Sequence, residues 1–283
     1  MTRYALNPAM PVLSRPDGVV QVGWDPRRAV LVRPPSGLTA SGLADLLRVM
    51  QTGATVADAA AQAGGVDEAV VADLVDALVV AGVARATTSS TGPSRSASIR
   101  IHGRGPLSDL LAGALRCSGA RIRHSSQRHA SAAAESADLV VLSDSLVADP
   151  KTLRELHAAR IPHLPVRVRD GTGLIGPLVI PGVTSCLRCA DLHRSDRDEA
   201  WPALAAQLRD TVGSADRATV LATAALALNQ VDRVIAAVRD GVGPDRARHP
   251  PSTLDTTLEF DVNTGSTVAR RWTRHPRCTQ CTC

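Results

Sequence analysis

Ser98-Ile99-Arg100-Ile101-His102-Gly103-Arg104-Gly105-Pro106-Leu107 decides how the larger part of the chain folds. It reads as a strand, then a tight turn, then a helix continuing through Leu110, Leu111, Ala114 and Leu115. Downstream, residues 120–123 predict a second strand. Residues 137–142 predict a third, ending at Ser143-Asp144, and residues 151–160 a helix. Residues 165–168 and 173–180 predict a hairpin across Asp170-Gly171. This β-α-β order predicts an α/β, doubly wound sheet whose ligands sit at the strand C-termini. A long helix capped by Ser214 and ending near Gly241 follows, apolar all round at its centre and therefore buried. A last hairpin spans Asn263-Thr264-Gly265.

Upstream, residues 86–98 are small, polar and turn-prone, and read as a linker. The expected division is residues 1–86, a linker at 87–97, and residues 98–283. The first part has short β-runs at Val19–Trp24 and Ala29–Val32, then three helical stretches. The third is capped by Asp67, with Val70, Val71, Leu74, Ala77 and Leu78 on one face. A small β-meander followed by three helices predicts a winged-helix-like α+β module. If it binds peptide, the open edge of Val30, Leu31, Val32 and Arg33 beside the helix over 67–80 is the expected place, by strand addition. The plain alternative is a dimerising or DNA-binding winged helix.

Six cysteines occur in the chain. Cys186-Leu187-Arg188-Cys189 and Cys278-Thr279-Gln280-Cys281 each have the spacing of a chelating pair, and two such pairs complete a tetrahedral thiolate site. Four protein ligands leave no open position, so the expected zinc is structural. Cys283 is a spare that could replace Cys281, His193 and His275 are further possible ligands, and Cys117 is expected in the core.

Gly103-Arg104-Gly105 has the placement of a nucleotide loop, with Gly105 and Asp144 completing a possible cofactor site in which Asp144 holds magnesium. The fingerprint is incomplete. Ser108 fills the third glycine position, Pro106 removes an amide, and Arg123-His124-Ser125-Ser126 stands where a ribose-binding acid belongs. The plain reading is a tight turn. Asp191-Leu192-His193-Arg194-Ser195-Asp196-Arg197-Asp198 could bind a partner or line a peptide path, or form a solvated helix start.

The 283 residues carry a net charge of +5, unevenly placed: residues 1–90 hold 7 basic and 8 acidic groups. That balance argues against a DNA-binding role for the first module, and with only Tyr4, Phe260 and three tryptophans base stacking is poorly served. The sequence shows neither a run of about 20 apolar residues nor a secretory signal, so a soluble, cytoplasmic protein with no membrane partner is expected.

The loop followed by Asp144, the two cysteine pairs and the long apolar helix resemble the ThiF family, relatives of ubiquitin-activating enzymes that adenylate a protein C-terminus. The run from Pro181 to Asp198, with Trp201-Pro202 and His275-Pro276, is similar to ThiF-like cyclodehydratase components of bacteriocin-type systems in actinobacteria. The first module is similar in element order to the peptide clamps that bind leader peptides there. The resemblance implies a ThiF-like (Rossmann-like) fold, a cysteine-bound zinc, and binding of a precursor peptide. A YcaO-type partner would spend ATP to convert Cys, Ser or Thr into azolines. Homodimers are common in that family. The adenylating members need cations beyond the second strand. Between His124 and Ala137 there is no lysine, and Arg128 is the possible phosphate contact. A non-adenylating role that does not bind ATP is therefore expected, and ATP-dependent adenylyl transfer is the alternative.

Overall fold

The computed structural model describes residues 2–88, 95–126 and 136–281, in two compact units, Met1–Pro93 and Ser94–Cys283. Arg128, Cys283 and most of the segment read as a linker lie outside the described residues.

The first unit contains β1 (Thr2–Leu6), β2 (Val12–Ser14), β3 (Val20–Val22), β4 (Val30–Val32), α1 (Ala40–Met50), α2 (Val56–Gln62), α3 (Glu68–Val80) and β5 (Ala84–Thr88). β2, β3 and β4 form an antiparallel meander, and β1 pairs with β5 in a separate ribbon. The strand β5 thus reaches Thr88, two residues into the segment read as linker, because Thr88 pairs with Thr2. β1, β2 and β5 are too short and too irregular in pattern to have been legible. Each helix starts at a side-chain cap: Thr39, Thr55 in a reciprocal box with Asp58, and Asp67. The buried face of α3 is Val71, Val75 and Leu78, with Ala77 outside it, one position round from the predicted stripe. These side chains join Leu43, Leu46, Leu47, Met50, Val20 and Val22 in one core.

The second unit runs β6 (Ser98–His102), α4 (Pro106–Leu115), β7 (Arg121–Ser125), β8 (Leu139–Ser143), α5 (Pro150–Ala158), β9 (His163–Arg169), β10 (Thr172–Ile175), α6 (Leu187–Ser195), α7 (Trp201–Leu208), α8 (Arg217–Arg239), β11 (Thr256–Asp261) and β12 (Ser266–Arg271). One seven-stranded sheet has the order β12-β11-β10-β9-β8-β6-β7. β7, β6, β8 and β9 are parallel, and β10, β11 and β12 add antiparallel strands on one side. From β6 the chain goes to β7 on one side and then to β8 on the other, so the switch point lies between β6 and β8. The β9–β10 hairpin turns at Asp170-Gly171, both in positive φ, as a tight hairpin requires. β10 stops at Ile175, short of the predicted Ile180, because Pro177 has no N–H to donate to the sheet.

Strand alternation divides the core into two layers. Leu139 and Val141 face α4 and α8, with Ile99, Ile101, Leu111, Ala227 and Val231. Val140 and Leu142 face the other way, toward Leu156, Leu187 and the thiols of Cys186, Cys189 and Cys278. α8 is long and apolar enough to cross a membrane by composition, yet half of that span is buried within this core. Its cap is Asp216, which accepts from Thr219 N, and not the predicted Ser214. Leu221 on its outer face is exposed, so the helix is not buried all round. Cys117 lies beyond the end of α4 and is exposed, contrary to its expected place in the core.

Candidate metal centre and the crevice at the strand ends

Cys186 is the N-cap of α6 and Cys189 stands one turn in, so the helix start brings their thiols together. Cys278 and Cys281 come from a loop laid over that start. The sulfur separations are 3.7 Å for Cys186–Cys189, 3.5 Å for Cys186–Cys278 and 3.4 Å for Cys189–Cys281. All four sulfurs lie within 4.8 Å of one another. A disulfide needs about 2.05 Å. Four thiolates at about 2.3 Å from one tetrahedral zinc stand roughly 3.8 Å apart. The spacing and the donor set therefore fit zinc and exclude disulfides. Burial raises the pKa of Cys186, and that of Cys281 to about 11. At Cys278 burial also pushes upward, but hydrogen bonds from the backbone of Gln280 and the neighbouring thiols outweigh it, and the net shift is downward. A cation supplies the charge that lets the buried sulfurs ionise.

The loop is held at points outside the sulfurs. Asp196, just past the end of α6, accepts from His275 Nε2 at 2.7 Å and from the Arg277 guanidinium. His157 Nε2 of α5 meets the Gln280 carbonyl at 2.6 Å, and Arg274 donates to the carbonyls of Gly182 and Val183. His193 and His275 sit edge to face, 4.7 Å between centroids. Both are spent on bracing: His193 Nε2 lies 3.1 Å from the Thr273 carbonyl. Residues that orient a metal loop in this way tune affinity about 10- to 100-fold. Asp196→Ala is accordingly expected to weaken zinc retention about tenfold in competition with a chromogenic chelator. Unchanged retention would remove Asp196 from the site. The charged run at 191–198 is thus the later part of α6 and its exit, not a solvated helix start. Asp191 within it bridges Arg194, at 2.8 Å, and Trp201 Nε1, at 3.2 Å.

At the switch point a cavity of about 800 Å³ is lined by His102, Gly103, Ser143, Asp149, Arg167 and Arg209 among others. The loop after α7 roofs it: Leu146 N donates to Thr211 O, and Ser145 bridges Val212. Gly103 and Gly105 lie beside it, and their small size serves Ser143 and Asp144. A Cβ on Gly103 would meet Ser143 O at 2.4 Å, and one on Gly105 would meet Asp144 Oδ1 at 2.6 Å. Asp144 is buried, in positive φ, and turned inward. It accepts from Leu107 N at 2.9 Å, from Ser108 N at 3.0 Å, and from the Ser108 hydroxyl. The amides that a phosphate would use at the start of α4 are occupied by this carboxylate. Asp144→Ala leaves them unpaired in the core, and a loss of about 1–3 kcal/mol in urea unfolding is expected. A change under 0.5 kcal/mol, taken as roughly the level of a surface substitution, would contradict this role.

The crevice is not stripped of cations, as the interval His124 to Ala137 had led one to expect. Arg104, Lys151, Arg167 and Arg209 line it from other segments. Distance in sequence hid them. Arg167 left one legible signal, a charge inside the apolar run of β9.

In the first unit, Val30, Leu31 and Val32 form β4, at the outer edge of the meander, and Arg33 follows them, exposed. The hydrogen bonds Arg15 N to Val19 O and Gly23 N to Pro11 O fix which residues of β3 bond to β2. By alternation Val20 and Val22 bond to Val32 and Val30, and Gln21 and Leu31 form a pair without mutual bonds. The N–H and C=O of Leu31 therefore point to the open edge. α3 packs on α2 and β5.

No family model matches the sequence, and no curated protein matches it. Solved structures do. The heterocyclase TruD aligns over 99% of this chain and 43% of its own, with TM-score 0.68 and 18% identity. MccB from E. coli with ATP aligns over 99% of both chains, with TM-score 0.61 and 12% identity. The chain has a ThiF-like fold. A second heterocyclase, in complex with substrate and cofactor, gives TM-score 0.68 at 14% identity over 99% of this chain and 40% of that one. The chain thus spans about two fifths of the length of the heterocyclases it matches. MccB, a microcin C7 biosynthetic enzyme, has also been seen in complex with N-formylated MccA.

Proposed function

We propose that this protein is a peptide-binding component of a system that modifies a ribosomally made peptide, presenting a precursor to a YcaO-type partner that forms azolines. The observation that carries the reading is the open edge of β4, where, among the described residues, Leu31 has an unpaired donor and acceptor on a three-stranded sheet. The winged-helix-like order of the first unit supports it. So does the fold shared with TruD and with MccB, a protein seen bound to MccA. The metal is structural zinc on Cys186, Cys189, Cys278 and Cys281.

Calorimetry of the full chain against the precursor peptide encoded beside its gene tests the reading. Saturable heat is expected, with the leader half of the peptide sufficient. No heat with either would refute it. Adenylyl transfer to a peptide is the second reading, and the four cations around the crevice favour it. Asp144 weighs against it, since it holds the α4 amides. ATP–pyrophosphate exchange is expected to stay at background with and without precursor, and exchange abolished by Asp144→Ala would reverse the choice.

A further inference from the structure

A second, smaller cavity lies away from the crevice, on the antiparallel side of the sheet. Leu174 is registered against Arg167 and Glu259, and Thr257 against Arg270, so strand alternation puts Arg169, Leu174, Thr257, Glu259 and Arg270 on one face. The end of α6 and the start of α7 form the opposite wall with Arg194, Arg197, Asp198 and Trp201. The space between is about 260 Å³. Drug-sized ligands occupy roughly 300–1,000 Å³, so this cavity suits a smaller group. Arg194 ties the two walls together. Its guanidinium lies 5.1 Å from the ring centre of Trp201 and 4.8 Å from that of Trp272, and it donates to Asp191 at 2.8 Å. Burial lowers its pKa, Asp191 opposes, and the charges of Arg169 and Arg270 lower it further. Guanidinium groups therefore crowd here.

Four arginines and two carboxylates line the cavity, a surplus of two positive charges. Arg194 is already bonded to Asp191. The other three share little. Glu259 takes Arg270 Nε at 3.0 Å and stands 3.9 Å from Arg169, which also has a 3.8 Å contact with the exposed Asp170. Asp198 accepts from Ala200 N at 3.0 Å, at the entry to α7. Arg197 is exposed, and its guanidinium has no partner among the described residues. Partly exposed pairs of this kind contribute little, so the three forks remain open to a stronger acceptor. A carboxylate would only repeat what Glu259 supplies. A phosphate monoester carries about 1.5 to 2 negative charges and three acceptor oxygens, one for each fork. Leu174 and the Trp201 ring give apolar surface to the carbon beside it. We infer that this cavity, between the β9–β12 face and the start of α7, seats a phosphate monoester held by Arg169, Arg197 and Arg270. The group arrives on a small metabolite or on a phosphorylated side chain. The inference stands apart from strand addition at β4, since all of its residues belong to the second unit.

The test is calorimetry of the full chain at constant ionic strength. The probes are free O-phosphoserine and a capped Gly/Ser hexapeptide with a central phosphoserine; the same peptide with Glu or Ser at the centre is the control. At least one phosphorylated probe is expected to bind about tenfold or more tighter than the Glu and Ser peptides, and the tighter of the two names the source of the phosphate. Arg197→Gln is expected to weaken that binding about fivefold or more with an unchanged melting temperature, because the side chain is exposed and makes no contact to lose. Arg270→Lys keeps the charge beside Glu259 without the fork, and is expected to lose most of the preference for phosphate over Glu. Arg209→Gln, in the crevice, is expected to leave it unchanged. Equal binding of the phosphorylated and Glu probes would overturn the inference. So would binding that both Arg197→Gln and Arg270→Lys leave unchanged, or binding lost in Arg209→Gln and kept in Arg197→Gln.

Discussion

Cys186→Ser is expected to reduce bound zinc from one ion per chain to a small fraction, and to lower the melting temperature of the second unit by about 8–16 °C. The estimate follows from linkage: a site filled at a thousand times its Kd contributes about 4 kcal/mol, and 1 kcal/mol shifts a unit of this size by about 2–4 °C. The effect is large because the thiols are the floor of a core layer, in the same cluster as Val140, Leu156 and Leu187. Without the ion, the start of α6 and the 278–281 loop lose their central tie and keep the bracing contacts of His157, Asp196 and Arg274. Metal-loaded and metal-free protein should also respond to pH in opposite directions. In the loaded form protons compete with zinc for four thiolates, so acidification releases the ion and stability falls. In the metal-free form Cys186 and Cys281 hold their protons more tightly than in the unfolded chain. Their contribution is complete below the ordinary thiol pKa of about 8.5 and is lost as the pH rises through the folded value, about 11 for Cys281. Thermal melts from pH 5 to 10, with and without chelator, check both limbs. A single common profile would contradict the site.

Leu31→Pro is expected to weaken precursor binding by about 10- to 100-fold without unfolding the first unit. The N–H of Leu31 points away from β3, so proline removes the outward donor and leaves the pairs Val20–Val32 and Val22–Val30 in place. One lost hydrogen bond is worth about 1 kcal/mol, close to fivefold in affinity, and the ring blocks close approach of an added strand. Leu31→Ala keeps the donor and should lose less than Leu31→Pro. Equal losses in the two variants would place the peptide on the exposed Leu31 side chain and not on the backbone.

The parallel sheet was legible because strand, turn and helix periods alternate plainly from Ser98 to Ala158, and turn residues such as Asp170-Gly171 have one geometry. The cysteine tetrad was legible because ligand spacing is a local signal, even though 88 residues separate the two pairs. What brings the pairs together was not. The clasp of Asp196 with His275 and Arg277 joins segments whose residues carry no mark of each other. The same holds for the crevice: Arg104, Lys151, Arg167 and Arg209 come from four separate segments, and only the sheet topology makes them neighbours. Asp144 was picked out as a ligand because it follows an apolar strand. Its actual direction, inward onto the amides of Leu107 and Ser108, depends on a backbone in positive φ that sequence does not announce. The ribbon of β1 and β5 failed to register for a simpler reason. Ala84-Arg85-Ala86-Thr87-Thr88 has neither alternation nor bulk, and pairing with Thr2–Leu6 is what makes it a strand.

Hydrogen exchange of the intact protein, with and without precursor peptide, tests the peptide-binding claim most directly. In the free chain the Leu31 amide lies on an open edge and should exchange rapidly. Saturating precursor should slow it at least tenfold, with little change in Val20 and Val22, whose bonds are already made. Precursor that binds and leaves Leu31 unprotected would contradict the account.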